Sequence, residues 1–233
     1  MSDSCAIHVY AAHYEGWILQ PLAEMGLIRM RVAVLGATGG TGREVVGQAL
    51  RAGHEVSALV RRPGALPAHE RLRLVVGDVG QQGAVEDVVR GQDVVVSALG
   101  TAAKGPVTVC AEGARAVLAA MHSAQAGRLV AVSAHGAAES RDRSPYCLAL
   151  WLSVAEKMRD KERMEALIRA SEVQWTIVRP PALSNRAHTG AYRTGTDLKI
   201  RLTSKVSRAD LADFLLREAT TPAFSGQTPA ITA

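Results

Sequence analysis

Three glycines, Gly36, Gly39 and Gly42, recur every third residue in the stretch Gly36-Ala37-Thr38-Gly39-Gly40-Thr41-Gly42. The stretch follows an apolar run, Arg31-Val32-Ala33-Val34-Leu35, and precedes a segment with helical spacing over 41–52. A loop so placed can hold phosphate. The first glycine allows the tight turn after the strand, the second lets the backbone approach a pyrophosphate, and the third lets helix and strand pack closely. The helix N-terminus then offers unpaired N–H groups and a positive dipole end to the anion. Thr38 and Thr41 add hydroxyl donors. A glycine triplet alone is a weak signal; its place between strand and helix gives it weight.

The next strand, Glu55 to Val60, ends in Arg61-Arg62. An acid at this point would hold a ribose 2′-hydroxyl, whereas arginine suits a 2′-phosphate. The pair points to NADP (NADPH) rather than NAD, with Arg61 the better placed; the other reading is a solvated surface pair. Asp78, followed by Val79, comes after the third strand. It either meets the adenine amino group or caps the helix at 82–90. Leu99-Gly100-Thr101 ends the fourth strand, where open α/β sheets bind ligands beyond the strand carboxyl ends.

Holding these groups together requires a parallel sheet. Strand candidates are 31–35, 55–60, 72–76, 93–97, 128–132 and 174–179, separated by helical segments at 41–52, 82–90, 107–124 and about 147–171. That alternation predicts an α/β, Rossmann-like, doubly wound parallel sheet. Aromatics are only 4% of the chain, so the core is Val, Leu, Ile and Ala, which suits strands buried on both faces. Residues 182–205 turn polar, with a hairpin expected around Gly195, and a helix opens at Ser207-Arg208-Ala209-Asp210. The expected organisation is an N-terminal extension (1–29), one NAD(P)-binding domain (30–226) with a small C-terminal substrate lobe at about 182–205, and a tail (227–233). Met30 is either the natural start or the end of a segment whose Trp17, Ile18, Leu19, Leu22 and Met25 dock on the body or a partner.

The net charge of +5 is scattered, with no basic run interleaved with aromatics, which argues against nucleic-acid binding. A basic balance suits anionic cofactors and substrates. Cys5, Cys110 and Cys147 are too sparse for a disulfide framework or a zinc site, so reduced thiols in a cytoplasmic protein and no metal are expected. No apolar run approaches the ~20 residues that span a bilayer.

These residues together resemble the atypical short-chain dehydrogenase/reductases with NAD(P)-binding NmrA-like domains, and within them the biliverdin-IX-beta reductase, or flavin-reductase, branch. The resemblance runs from about 31 to about 226. It includes Gly36-Ala37-Thr38-Gly39, Leu59-Val60-Arg61, Val76-Gly77-Asp78-Val79, Leu99-Gly100-Thr101, Glu112-Gly113-Ala114-Arg115, Pro180-Pro181, Thr189-Gly190-Ala191-Tyr192 and Asp210-Leu211. It implies hydride transfer from NADPH to a planar conjugated acceptor such as a flavin, linear tetrapyrrole or quinone. It also implies a site at the strand ends with Ser133 and the Pro180-Pro181 turn near the nicotinamide, and points to a monomer, although helices 107–124 and 147–171 could pair in a small homo-oligomer.

Ordinary short-chain dehydrogenases use a Ser, a Tyr that donates a proton, and a Lys four residues later that lowers the Tyr pKa. Ser133 ends the fifth strand and Tyr146 follows 13 residues on, but position 150 is Leu. The triad is broken, as in the flavin-reductase branch, where positioning supplies much of the rate. That branch implies a His near the substrate where Glu165 stands here. Ser133 either bonds the acceptor or the nicotinamide amide, or caps backbone; Tyr146 is an acid or a substrate wall. His135 is a proton donor or a loop residue, and Arg179 faces the cofactor or pairs with an acid. Three functions fit: an NADPH-dependent reductase, a dinucleotide sensor without turnover, and a non-redox enzyme (epimerase, cyclase or dehydratase) on the same scaffold.

Overall fold

The computed structural model describes residues 29–100, 107–124 and 126–233. The expected N-terminal extension and Thr101 lie outside the described residues, apart from Arg29 at the extension's end. Six strands, β1 (Arg31–Leu35), β2 (Glu55–Val60), β3 (Leu72–Val76), β4 (Val94–Ser97), β5 (Arg128–Val132) and β6 (Gln174–Val178), form one sheet in the order β3-β2-β1-β4-β5-β6. Every neighbouring pair is parallel. The order reverses at β1, which lies between β2 and β4, so the loops leaving β1 and β4 diverge there and open a crevice at the strand carboxyl ends.

Alternation along β1 sets the layers. Val32 and Val34 face Val45, Val46 and Ala49 of α1 (Gly40–Arg51) and Leu211, Phe214 and Leu215 of α5 (Arg208–Thr220). Ala33 and Leu35 face the other way. They meet Val85 and Val88 of α2 (Gln82–Val89), Val117 and Met121 of α3 (Val109–Ala124), and Met164 and Ile168 of α4 (Pro145–Arg169). Successive side chains of a strand point to opposite faces, so a strand buried on both sides must be apolar throughout. Each fully buried Val or Leu contributes about 1.5–3 kcal/mol. That burial, rather than helix propensity, keeps α1 in place, since an isolated helix shorter than ~12–15 residues is marginal in water.

The helix α4 is interrupted at Val154, whose φ −141° and ψ 35° are not helical. Its first part therefore runs under the lobe while its second part packs on the sheet. The lobe is built from β7 (Ala182–Ser184), β8 (Arg193–Gly195), β9 (Lys205–Ser207) and β10 (Ala230–Thr232). β7 pairs in parallel with β9, and β8 pairs antiparallel with β10. No local hairpin forms around Gly195; the partner of that segment comes from 35 residues further on (Ala230 opposite Gly195). Residues 227–233 are correspondingly not a loose tail. Ala230, Ile231 and Thr232 are buried, and the main chain of 226–230 runs along β6, where Pro229 O accepts from Arg179 N at 2.8 Å. Short strands with few residues carry little periodicity, so this return was not visible in the sequence. Among the described residues no helix is long and apolar enough to cross a membrane.

Candidate cofactor and active site

The glycine loop is held by backbone contacts that leave no room for side chains at Gly36 and Gly42. Gly36 has φ +74°, in the left-handed region. A Cβ there would stand 2.6 Å from Ala98 O at the end of β4, and one on Gly42 would stand 2.1 Å from Gly36 O. Gly39 N donates to Gly36 O at 3.0 Å and closes the turn. Thr41 is buried under the loop, and Thr38 is half-buried.

The N-terminus of α1 is open. Its N-cap, Gly39, has no side-chain hydrogen bond, and no acid lies in the first turn. By contrast Asp160 accepts from Cys110 N (2.9 Å) and Ala111 N (3.0 Å) in the first turn of α3. Ser144 accepts from Cys147 N in α4, and Ser207 from Asp210 N in α5. The first N–H groups of a helix need partners from outside it. In α1 those groups are left for an anion, which fits a dinucleotide pyrophosphate.

Arg61 and Arg62 stand exposed beyond β2, with no acid between them and the strand. A third arginine, Arg43, was not singled out in the sequence. Its Nε donates to Thr38 O at 3.0 Å and its Nη2 to Ala65 O at 3.2 Å, so it ties the glycine loop to the loop carrying Arg61. Asp78 is exposed; its Oδ1 accepts from Gly80 N at 3.1 Å, shaping the turn into α2, while Val79 is buried in the layer below. Leu99 is buried and Gly100 exposed at the end of β4, and Pro180 and Pro181 are buried at the end of β6. All these groups sit at one end of the sheet.

Two expected site residues are occupied elsewhere. Glu165, 1% exposed, accepts from Ser133 Oγ at 2.5 Å and from Arg179 Nε at 3.0 Å, with a second, shorter contact to Arg179 Nη2. Arg179, 3% exposed, also grips Glu139 through Nη1 (2.9 Å) and Nη2 (3.0 Å). Arg169 and Thr228 add bonds to the same Glu139 oxygen. Burial alone would raise the Glu139 pKa, but the hydrogen bonds from Arg179 and Arg169 outweigh it and hold the carboxyl well below the usual range. Glu165 and Arg179 are therefore each other's partners inside the fold. Spacing gave no warning, because the pairing joins α4 to the end of β6 and to the 3₁₀ turn Ala138–Ser140.

His135 and Tyr146 come together beside the lobe, with ring centroids 5.7 Å apart. Tyr146 packs with Cys147, Ile200 and Ala230. Burial, with a smaller push from Cys147, raises its pKa to about 12. Burial lowers the His135 pKa, and its buried Nδ1 has no hydrogen-bond partner among the described residues. Lys161 was missed. Its Nζ donates to Leu99 O (2.9 Å) and Val132 O (2.5 Å), joining the ends of β4 and β5. The signal existed: Lys157, Lys161 and Glu165 follow one another every four residues, so they share one face of α4. A hollow of about 1070 Å³ between α1, α5 and the 185–194 segment lies away from the strand ends and includes none of these groups.

A family described as NAD(P)H-binding matches residues 36–222, and the chain belongs to that family. The protein YwnB of Bacillus subtilis is 29% identical over 201 residues, covering 81% of this chain and 92% of its own. The anaerobillin reductase ChuY of Escherichia coli O157:H7 superposes with a TM-score of 0.75 at 23% identity, over 86% of this chain and 96% of its own. A short-chain dehydrogenase/reductase from Veillonella parvula, solved in complex with NADP, gives 0.76 at 16% identity, over 88% and 95%. The last two share the fold.

Proposed function

We propose that this protein is an NADPH-dependent oxidoreductase that passes hydride to a conjugated small-molecule acceptor: a flavin, quinone, tetrapyrrole or natural-product intermediate. The observation that carries this reading is the open N-terminus of α1 behind a loop in which Gly36 and Gly42 leave no room for a Cβ, in a chain of the NAD(P)H-binding family. The Veillonella parvula neighbour with NADP bound and the reductase ChuY share its fold and support it.

When bound, the nicotinamide supplies the hydride. Gly36, Thr38, Gly39, Gly40, Thr41 and Gly42 hold the pyrophosphate. Arg61 and Arg62 hold the 2′-phosphate, and Arg43 fixes the loop between them. Asp78 and Val79 border the adenine. Leu99, Gly100, Pro180 and Pro181 would flank the nicotinamide half. Lys161 spends two N–H groups on strand-end carbonyls and has a third for a ribose hydroxyl. Ser133 donates its proton to Glu165 and keeps lone pairs for an amide N–H.

Proton supply limits the acceptor. Tyr146 has its pKa raised and His135 its pKa lowered by burial, so both are neutral near pH 7 and neither is a strong acid there. An acceptor that delocalises the added charge itself, as flavins and quinones do, suits such a site, with the protein contributing mainly by positioning. We place the chain in the cytoplasm, as a monomer or small homo-oligomer, with Cys110 and Cys147 as free buried thiols.

The test is to mix purified protein with NADPH and either FMN or a small quinone and follow NADPH absorbance. Acceptor-dependent oxidation, faster with NADPH than NADH, is expected. Tight NADPH binding without oxidation by any acceptor would instead support a dinucleotide sensor. The commitment of the Ser133 hydroxyl proton to Glu165, which leaves it unable to donate to an acceptor oxygen, favours that second reading.

A further inference from the structure

The first residue of α5 reaches back to the glycine loop. Arg208 is half-buried, and its side chain lies over Gly40: a Cβ on Gly40 would stand 2.6 Å from both Cδ and Nε of Arg208. Its Nη1 donates to Asn185 Oδ1 at 2.6 Å. Among the described residues it has no carboxylate partner. A guanidinium carries five N–H donors, so most of them remain available.

This is an unfavourable place for a lone cation. Gly40 is the first residue of α1, and Arg208 is the first residue of α5. The charge therefore sits at the positive end of the α1 dipole, where anions are stabilised and cations are not, whereas the N-terminus of α5 carries its own acid, Asp210. Yet the backbone beneath it is firmly fixed. Asp210 collects Thr189 N, Gly190 N, the Thr189 hydroxyl and the Ser207 hydroxyl, and Gln48 of α1 donates to Ala209 O at 2.9 Å. An anion at the α1 N-terminus removes the conflict: it satisfies the open N–H groups and the guanidinium together.

Resting on the reading of this groove as a dinucleotide site, we propose that Arg208 is a cofactor-binding residue that clamps the pyrophosphate from the lobe side. Its neighbours make it a link as well. Asn185 directly follows β7 and Arg208 directly follows β9, the two paired strands of the lobe. Phosphate bound at Gly40 thus draws on the same side chain that steadies the lobe, and an occupied cofactor groove holds the substrate side in place.

The phosphate that Arg208 serves is shared by both nicotinamide cofactors, unlike the 2′-phosphate assigned to Arg61. Binding of NADPH, NADH, ADP-ribose and adenosine 2′-monophosphate is therefore measured on the wild type, Arg208→Gln and Arg208→Lys. ADP-ribose has the pyrophosphate without the 2′-phosphate; adenosine 2′-monophosphate has the reverse. Arg208→Gln should weaken NADPH, NADH and ADP-ribose by a similar factor, ~10- to 100-fold for a lost charge-assisted contact. Adenosine 2′-monophosphate should bind unchanged, and Arg208→Lys should fall between wild type and Arg208→Gln. Unchanged binding of all probes overturns the clamp, as does a loss confined to NADPH and adenosine 2′-monophosphate. An equal loss of all four assigns Arg208 a structural role instead. A wild type that binds none of the probes overturns the dinucleotide reading and the clamp with it, whereas wild-type binding matched by Arg208→Gln removes the clamp alone.

Discussion

Replacing Glu165 with Gln separates a structural carboxylate from a catalytic one. The side chain is 1% exposed and receives Ser133 Oγ, Arg179 Nε and Nη2, and, at 3.5 Å, Arg169 Nη2. Gln keeps the shape but loses the charge, and its NH₂ turns a donor toward an arginine that has only donors. Breaking a buried ion pair on one side costs about 3–5 kcal/mol. Arg179 keeps Glu139, whose side chain is 54% exposed and so compensates only partly, which places the loss near the lower end, about 3 kcal/mol. For a chain of this size that is a drop in Tm of about 6–12 °C. Calorimetry or urea unfolding at pH 7 measures it, alongside NADPH affinity well below Tm. The expected outcome is a large loss of stability with affinity close to wild type. The double variant Arg179→Met, Glu165→Leu should regain part of the loss, because a buried pair can be replaced by apolar packing. A Tm within ~1 °C of wild type combined with lost turnover would refute this reasoning and return Glu165 to the substrate.

Three further outcomes are expected. Arg61→Asp should weaken NADPH far more than NADH, read by fluorescence titration; equal weakening would remove the 2′-phosphate from Arg61. Gly42→Ala should abolish dinucleotide binding and lower Tm, because its Cβ would lie 2.1 Å from Gly36 O; retained binding would mean the loop can open without cost. Burial lowers the His54 pKa, and Met30 N donates to His54 Nδ1 at 3.3 Å, so the folded state favours the neutral ring. That contribution is present above the unfolded-state pKa of ~6.5 and is lost as pH falls through the lower folded value. Stability should therefore rise with pH across the window below ~6.5, and His54→Asn should flatten that slope in urea titrations at stepped pH.

The sheet and the glycine loop were legible because they are local. A run of Val and Leu, a glycine at each third position and a following helix all sit within about one βα unit. The strand starts at 31, 55, 72, 128 and 174 agree with the structure because each strand carries a mostly apolar run bounded by polar or turn residues. What depended on distant partners was not legible. The ionic core of Glu165, Arg179 and Glu139 joins segments 14 to 40 residues apart, and a charged residue looks the same in sequence whether it meets ligand or another charge. Lys161 lies 15 residues after Tyr146, well beyond the position four residues on where a triad lysine is expected. The kink at Val154 resets the helix face, so spacing counted from Tyr146 does not carry across it. Arg208 lies far from the glycines in sequence and meets them only through the packing of α5 on α1.

The way residues 226–233 lie against β6 has a consequence for how the protein is made. Gly226 N donates to Trp175 O, Ile177 N to Gln227 O and Arg179 N to Pro229 O, while Ala233 N reaches Lys205 O. The segment covers the outer edge of the sheet and holds down the strand that ends in Arg179. It is also synthesised after everything it covers. Until it emerges, a nascent chain can assemble the glycine loop from its first βα units but shows an unpaired sheet edge, a template for association with other chains. The cofactor half can thus be shaped early in translation, whereas the substrate half closes only when this strap arrives. Between those two moments a chaperone, or the nucleotide itself, has the most to offer.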